Sequence, residues 1–335
     1  MSFSDTFDPT RTPLTGPGSA VSNREDLTDV LTILAPEETP VLSSASKQKA
    51  NATFVEWTVD KLADPVTDGV SEGADVTAFT DKFGSRARLG NYIQKFRRDY
   101  MVSDLQEAVD SVGPAKVAQA EAKAIRELKR DVEATITGDG NRNAENGTTQ
   151  PYTLRGLGRW LEANSADTDV PSDFRTPTTS RSADGSSITE TTFNTLIRSI
   201  YEQTGDVQNL TLVADTNLRT RISDFARISG ASGSGTMMRN VNYDGNSSTI
   251  KLSVEIYQSD FGTVTIVNSN PKCTPDTANQ ARGYFVNPEY YGIHDLIPMG
   301  STRLPNMGGG ERGYVDCSLT LGVYHPAAHG MITSS

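Results

Sequence analysis

Three histidines, two cysteines and an excess of carboxylates are the groups in this chain able to do chemistry, and their spacing decides which kind. His325 and His329 stand four apart, the separation of two metal ligands on one helical face. Pro326 lies between them, however, and no glutamate follows His325 as a zinc-protease helix requires. His294 is the only other histidine. Cys273 and Cys317 lack the paired spacing of a zinc site and read as buried structural thiols. Ser229, Gly230, Gly233 and Gly235 look like a phosphate loop at first sight, but no Lys-Ser/Thr pair follows and no strand ends directly before them. Gly308-Gly-Gly-Glu-Arg-Gly313 fails the same test and reads as a bend. Asp215 and Asp224 can be cast as an acid and base, yet 42 acidic residues are present and nothing singles these two out. A Ser-His-Asp set has too many serines to choose from and no nucleophile-elbow motif. The residues therefore point to no catalytic group, no metal and no cofactor.

A different chemistry is legible in residues 86–98, where Arg86, Arg88, Lys95, Arg97 and Arg98 interleave with Tyr92 and Phe96 in the manner of a single-strand nucleic-acid face. The formal net charge of -11 opposes that reading, because affinity for duplex DNA comes from basic residues that release counterions. Such a chain lies beside DNA without gripping it. Asp64, Asp68, Glu72, Asp75 and Asp81 stand close by in sequence, so pairing of the basic stretch with a neighbour's carboxylates is favoured.

The elements that position these groups follow from periodicity. In residues 51–60, Val55, Trp57 and Val59 alternate with Glu56, Thr58 and Asp60 as in a half-buried strand, and only Phe54 breaks the pattern. Residues 63–85 carry Pro65, Gly69, Gly73 and Gly84 among acids and keep no periodic apolar face, which predicts a loop tip. Strand character returns with Leu89, Tyr92, Ile93 and Phe96. An isolated two-stranded ribbon is marginal in water. It must lie on a second copy of the chain or fold back on its own domain, and both remain open on periodicity alone. An aromatic such as Trp57 buries roughly 150–250 Å², which at about 25 cal/mol per Å² makes either arrangement worth several kcal/mol.

Behind the ribbon, Ala118, Ala122, Ile125, Leu128, Val132 and Ile136 recur at three- and four-residue steps, predicting an amphipathic helix over 114–137 about 35 Å long. Lys123 and Glu127, and Lys129 and Glu133, are spaced for pairing on its polar face. Residues 1–26 read as an extended N-terminal arm, and Leu27, Val30, Leu31 and Leu34 as a short helical stripe. Leu154, Leu157, Trp160 and Leu161 fit one brief helix. From residue 186 helix and strand alternate. Thr189 is an expected N-cap ahead of Phe193, Leu196, Ile197 and Ile200. Leu210-Thr-Leu-Val-Ala214 is a buried strand, and Asp215 or Thr216 caps a helix carrying Leu218, Ile222 and Phe225. Residues 250–257 and 264–266 form a hairpin turned at Ser259-Asp-Phe-Gly262, and two strands follow, around 284–286 and over 314–323. No run of about 18 apolar residues occurs and the N-terminal stretch lacks a charged start followed by an apolar segment, which predicts synthesis in a cytoplasm.

In this order the chain resembles the major capsid proteins of tailed bacteriophages with the Hong Kong 97-type fold. The resemblance is carried by Asp26-Leu-Thr-Asp-Val, Thr39-Pro40, Phe54-Val-Glu-Trp57, Glu72-Gly-Ala-Asp75, Arg88-Leu-Gly-Asn-Tyr92, Glu127-Leu-Lys-Arg-Asp131 and Pro326-Ala-Ala-His-Gly330. It implies an α+β fold with an N-terminal arm (1–26), a short helix and linker (27–50), an extended E-loop hairpin (51–100), and a peripheral domain (101–185) with its spine helix over 114–137. An axial domain (186–300) and a C-terminal strand and tail returning to the peripheral domain (301–335) complete it. It further implies hexamers and pentamers of an icosahedral shell around double-stranded DNA, and a separate scaffolding protein, a portal and a cement protein as partners. In that reading Phe54, Trp57, Tyr92 and Phe96 anchor the E-loop on a neighbour, while Arg86, Arg88, Arg97 and Arg98 pair with its acids. Ser229, Gly230, Gly233 and Gly235 then lie near the capsomer centres. A tail or decoration protein forming rings or trimers is the alternative, and a hydrolase using Asp215 and Asp224 a third.

Overall fold

The computed structural model describes residues 39–79, 81–109, 116–147, 149–162, 167–207, 209–225, 254–269 and 282–334. The N-terminal arm, the stripe at Leu27 to Leu34, Cys273 and the Ser229 to Gly235 loop lie outside them.

In chain order, α1 (Pro40–Ser44) and β1 (Ser46–Lys49) lead to β2 (Phe54–Val59), β3 (Ala87–Tyr92), β4 (Gln94–Val102) and α2 (Asp104–Ala108). Then come α3 (Lys116–Ile136), α4 (Leu157–Leu161), β5 (Arg181–Ser182), α5 (Glu190–Thr204), β6 (Leu210–Ala214) and α6 (Thr216–Asp224). The remaining strands are β7 (Ile256–Ser259), β8 (Gly262–Asn268), β9 (Gly283–Val286), β10 (Tyr291–Leu304), β11 (Glu311–Val323) and β12 (Gly330–Ile332).

These strands form three sheets: a four-stranded one in the order β1-β10-β11-β4, a six-stranded one in the order β5-β12-β9-β6-β8-β7, and the isolated ribbon β2-β3. The long hairpin β10-β11 runs from Tyr291 opposite Val323 to Leu304 opposite Arg312, and its register slips on either side of Ile297. Pro298, which has no N–H for the ladder, sits at the second slip.

The α3 helix lies across β4 and β11 and buries Val117, Ala124, Leu128, Val132 and Ile136. Its stripe departs from the expected one at the N-terminal end, where Ala118 and Ala122 are exposed. Alanine is small enough to sit on either face, so Val117 decides the rotation. Lys123 and Glu127 pair at 3.9 Å as their spacing predicts. Glu133 does not face solvent with Lys129; it is fully buried.

The second core forms between α5, α6 and the six-stranded sheet, centred on Phe193, whose ring meets Phe225, Tyr257 and Phe285. The punctuation of this region is as expected. Thr189 accepts the N–H of Thr192, Gly205 closes α5 with φ of 73°, and Asp215 accepts the N–H of Leu218 at 2.7 Å. Ser259 pairs with Gly262 at the β7-β8 turn. Asp215→Ala removes the cap from a buried helix start and should lower stability by about 1–2 kcal/mol in urea denaturation of the unassembled chain.

The sheets divide the chain differently from the expected ranges. β4 belongs to the four-stranded sheet, so the ribbon ends at Tyr92 and not near 100. β10 leaves the 186–300 stretch to join that same sheet. The tail does not end beside it: β12 inserts between β5 and β9 of the six-stranded sheet.

Candidate interaction surface

The ribbon has a root that the chain holds itself and a tip that it does not. Along β2 and β3 the register runs from Phe54 opposite Tyr92 to Val59 opposite Ala87. The Phe54 and Tyr92 rings lie 4.5 Å apart. A Cβ at Gly90 would come within 2.7 Å of the Phe54 ring, which is why glycine stands there. Val59 and Leu89 are buried in the main core, and Trp57 packs against Trp160 at 5.7 Å, parallel to His294 at 6.5 Å and edge-on to Tyr324 at 6.0 Å.

Asn91 locks the root. Its side-chain amide, fully buried, donates to the carbonyls of Arg155 (3.1 Å) and Leu321 (2.8 Å), while its oxygen accepts the N–H of Arg155 at 2.8 Å. Three bonds at one side chain tie the ribbon to β11 and to the segment before α4. That segment carries a buried ion network: Arg155 pairs with Asp167 at 2.5 Å and Asp169 at 3.3 Å, and its guanidinium lies 4.8 Å from the Trp160 ring. Burial pushes the Asp167 carboxyl up, but the hydrogen bond and charge of Arg155 outweigh it and hold the group below the usual carboxylate range. Arg142 extends the network by pairing with Asp169 at 2.6 Å and donating to the carbonyl of Gly90.

Beyond Asp60 the ribbon leaves the body. Asp60 and Arg86 close the neck at 2.9 Å, and that hydrogen bond holds the Asp60 carboxyl below its ordinary value. Residues 61–79 and 81–86, which include the described part of the loop tip expected over 63–85, form no strand or helix. The expectation of a merely polar tip is corrected by the side chains: Leu62, Val66, Val70, Val76, Phe79 and Phe83 are 63–92% exposed. An open hollow of about 900 Å³, lined by Asp60, Leu62, Val66, Asp81, Lys82 and Asp173, separates the tip from the body. Large apolar side chains gathered in water on one projection mark a contact surface.

Of the residues expected to reach a neighbour, Arg86 and Arg88 lie exposed on the ribbon, and Phe54 and Tyr92 are half-buried at its root. Phe96 is not an outward anchor: it points into the chain's own core. Arg98 is bound through two nitrogens to Asp131 of α3, at 2.5 and 2.8 Å, and Lys95 pairs with Asp316 at 3.0 Å. Arg97 is exposed on the same strand. Reversing Arg97 and Arg98 together would therefore strike the subunit's own packing as well as any contact. The Ser229, Gly230, Gly233 and Gly235 loop lies outside the described residues.

The groups that looked chemical have structural places. Asp215 is a helix cap, and burial pushes the Cys317 thiol up to about 12. His329 is fully buried, with Nδ1 accepting the N–H of Asn287 at 3.2 Å and Nε2 donating to the Tyr290 carbonyl at 3.3 Å. Among the described residues no three His, Cys, Asp or Glu side chains are grouped to hold a metal ion. Sequence reasoning missed Asn91, the Arg155 network and Glu133, whose two carboxylate oxygens accept the N–H groups of Val41 and Leu42 at 2.9 Å each. A buried-pair signal was absent because Arg, Asp and Glu at these positions look like any solvated face.

Solved structures share this architecture over nearly the whole chain. The capsid of the cyanophage P-SCSP1u superposes with a TM-score of 0.61 at 14% identity, covering 98% of this chain and 99% of that one. The capsid of the empty GTA particle gives 0.60 at 14% identity, with 97% and 99% covered. A chain of Mycobacterium phage Che8 gives 0.55 at 13%, with 92% and 96% covered. The fold is thus that of the tailed-phage, Hong Kong 97-type capsid proteins. No curated protein matches the chain. No described helix is long and apolar enough to cross a membrane. The model of the SU10 major capsid protein family matches residues 9–335, and the chain belongs to that family: it is a capsid protein that associates with itself to form the shell of a virion.

Proposed function

We propose that this shell is icosahedral, built from hexamers and pentamers around double-stranded DNA, and that the tip formed by residues 61–85 is seated on a neighbouring copy. The single observation that carries the tip's role is its set of exposed apolar side chains, detached from a root that the subunit secures by itself. Covering one such side chain contributes about 1.5–3 kcal/mol. Contacts of that size are individually reversible, and repetition around a closed lattice makes them collectively firm through multivalency. Arg88, exposed on the ribbon, supplies charge pairing to the neighbour's acids, while Arg86 is engaged by Asp60 of its own neck. The formal charge of -11 keeps packaged DNA from adhering to the wall. Assembly in the host cytoplasm, a separate scaffolding protein, a portal and a cement protein belong to the same reading. So does placement of the Ser229 to Gly235 loop near the capsomer centres. The role is structural, without catalysis.

The test is to replace Leu62, Val66, Phe79 and Phe83 together by serine. The subunit should keep its far-ultraviolet circular dichroism and its denaturation midpoint, because none of the four is packed in either core. Negative-stain microscopy should show no closed shells. Normal shells from the variant would remove the tip from the assembly mechanism, and rings or trimers of fixed size from the wild type would favour a tail or decoration protein instead.

A further inference from the structure

Glu133 sits in the last turn of α3, on its buried face, and its two oxygens are both used by the first turn of α1 through the Val41 and Leu42 N–H groups. Val41 is completely buried beside it. Thr39, next to Pro40 at the start of α1, is the first of the described residues. The Glu133 carboxyl group therefore hydrogen-bonds the first turn of α1 to the longest helix, beside the packing of Val41 and Leu42.

What surrounds Glu133 decides how firmly it holds. Residues 40–44 of α1 carry no titratable group. On β10 the Tyr291 hydroxyl faces it, bonded to Ser44 Oγ at 2.6 Å and pushed up to about 12 by burial, so it stays neutral. On β11 the Cys317 thiol is likewise neutral, and on β4 Arg98 is committed to Asp131. On its own helix Lys129 is exposed. Among the described residues no cation pairs with Glu133. Its negative charge is then opposed only by two neutral N–H dipoles in a site closed to water, and an isolated charge in such a place favours neutralisation.

We propose that Glu133 and the first turn of α1 form a proton-linked clamp: the carboxyl group takes up a proton when α1 seats on α3 and gives it up when α1 lifts. Raising the pH through neutrality accordingly loosens α1 from α3. The direction follows from linkage. Burial pushes the seated group from its ordinary 4.5 up to about 7, against the pull of the two N–H bonds. The seated state thus binds more protons than the lifted one throughout that window. Its advantage is complete below the lower value and is lost as pH rises through the upper one, by up to about tenfold per pH unit and about 300-fold in all.

Hydrogen exchange of the intact chain, read by mass spectrometry on a peptide covering residues 39–46 and corrected for intrinsic exchange chemistry, tests this. Wild type should lose at least tenfold protection between pH 5.5 and pH 8. Glu133→Gln, neutral at every pH, should show the same protection at both. Equal protection in wild type at the two values, or a parallel loss in the variant, overturns the clamp. Should the variant fail to fold, infrared titration of wild type carrying 13C-labelled glutamate decides. One glutamate carboxyl still protonated at pH 6 is expected, and ionisation of every glutamate below pH 5.5 overturns it.

Discussion

Arg155→Ala is expected to cost about 3 kcal/mol, because it leaves the buried carboxylate of Asp167 with the more distant Arg159, at 3.6 Å, and the Asp169 N–H in place of its close pair. The loss is a large share of the roughly 5–15 kcal/mol by which a domain is normally stable. Three effects coincide at this one side chain: the pair to Asp167, the second pair to Asp169, and the guanidinium against Trp160. Asp169 keeps Arg142 and suffers less. Because the penalty comes mainly from a buried charge left with only its weaker partner Arg159, removing both Arg155 and Asp167 should be milder than removing Arg155 alone. Arg155→Met combined with Asp167→Leu should recover part of the lost stability. Urea denaturation of the unassembled chain measures both, and a single-variant loss below about 1 kcal/mol would show that water reaches Asp167.

The second large effect is acid sensitivity through His329. Burial holds its imidazole down at about 4, well below the ordinary 6.5, with the nearby His325 adding to the depression and backbone acceptors resisting it. The folded state therefore refuses a proton that the unfolded chain accepts. The associated stability is complete above 6.5 and disappears as pH falls through about 4, amounting to about 3 kcal/mol over the window. His329→Gln should be less stable than wild type at pH 7, having lost the bonds to Asn287 and Tyr290, yet should show a flatter stability profile between pH 7 and pH 4. Parallel profiles for the two proteins would assign the acid limb to other groups. The expected slope is opposite in sign to that of Glu133, whose contribution declines as pH rises over an overlapping window, so the two groups are separated by comparing each single variant with wild type.

Much of the architecture was readable because its signals are local. Thr189 with Phe193 and Gly205, Asp215 ahead of Leu218, and the Ser259 to Gly262 turn each specify a boundary within a few residues, and each stands where its spacing places it. The α3 helix was equally legible, although Ala118 and Ala122 carry too little area to orient it. What periodicity could not show was long-range pairing. That Arg98 meets Asp131, that β4 leaves the ribbon for β11, and that β10 crosses to the four-stranded sheet depend on partners far away in sequence. The interaction surface was half visible: charge was obvious at the neck, whereas Leu62, Val66, Phe79 and Phe83 were hidden because apolar residues without a period look like ordinary loop content.

The insertion of β12 between β5 and β9 joins Met331 to Arg181 on one side and Tyr284 on the other. Contacts of such wide separation form slowly, since the loop between them must close before any bond rewards it. The four-stranded sheet joins residues farther apart still, Ser46 to Gly292 and Val102 to Glu311, so the half of the subunit around α3 should mature last. Late ripening of this kind should keep the pool of lattice-competent subunits small during synthesis. A small pool starts few particles and lets each one grow to completion.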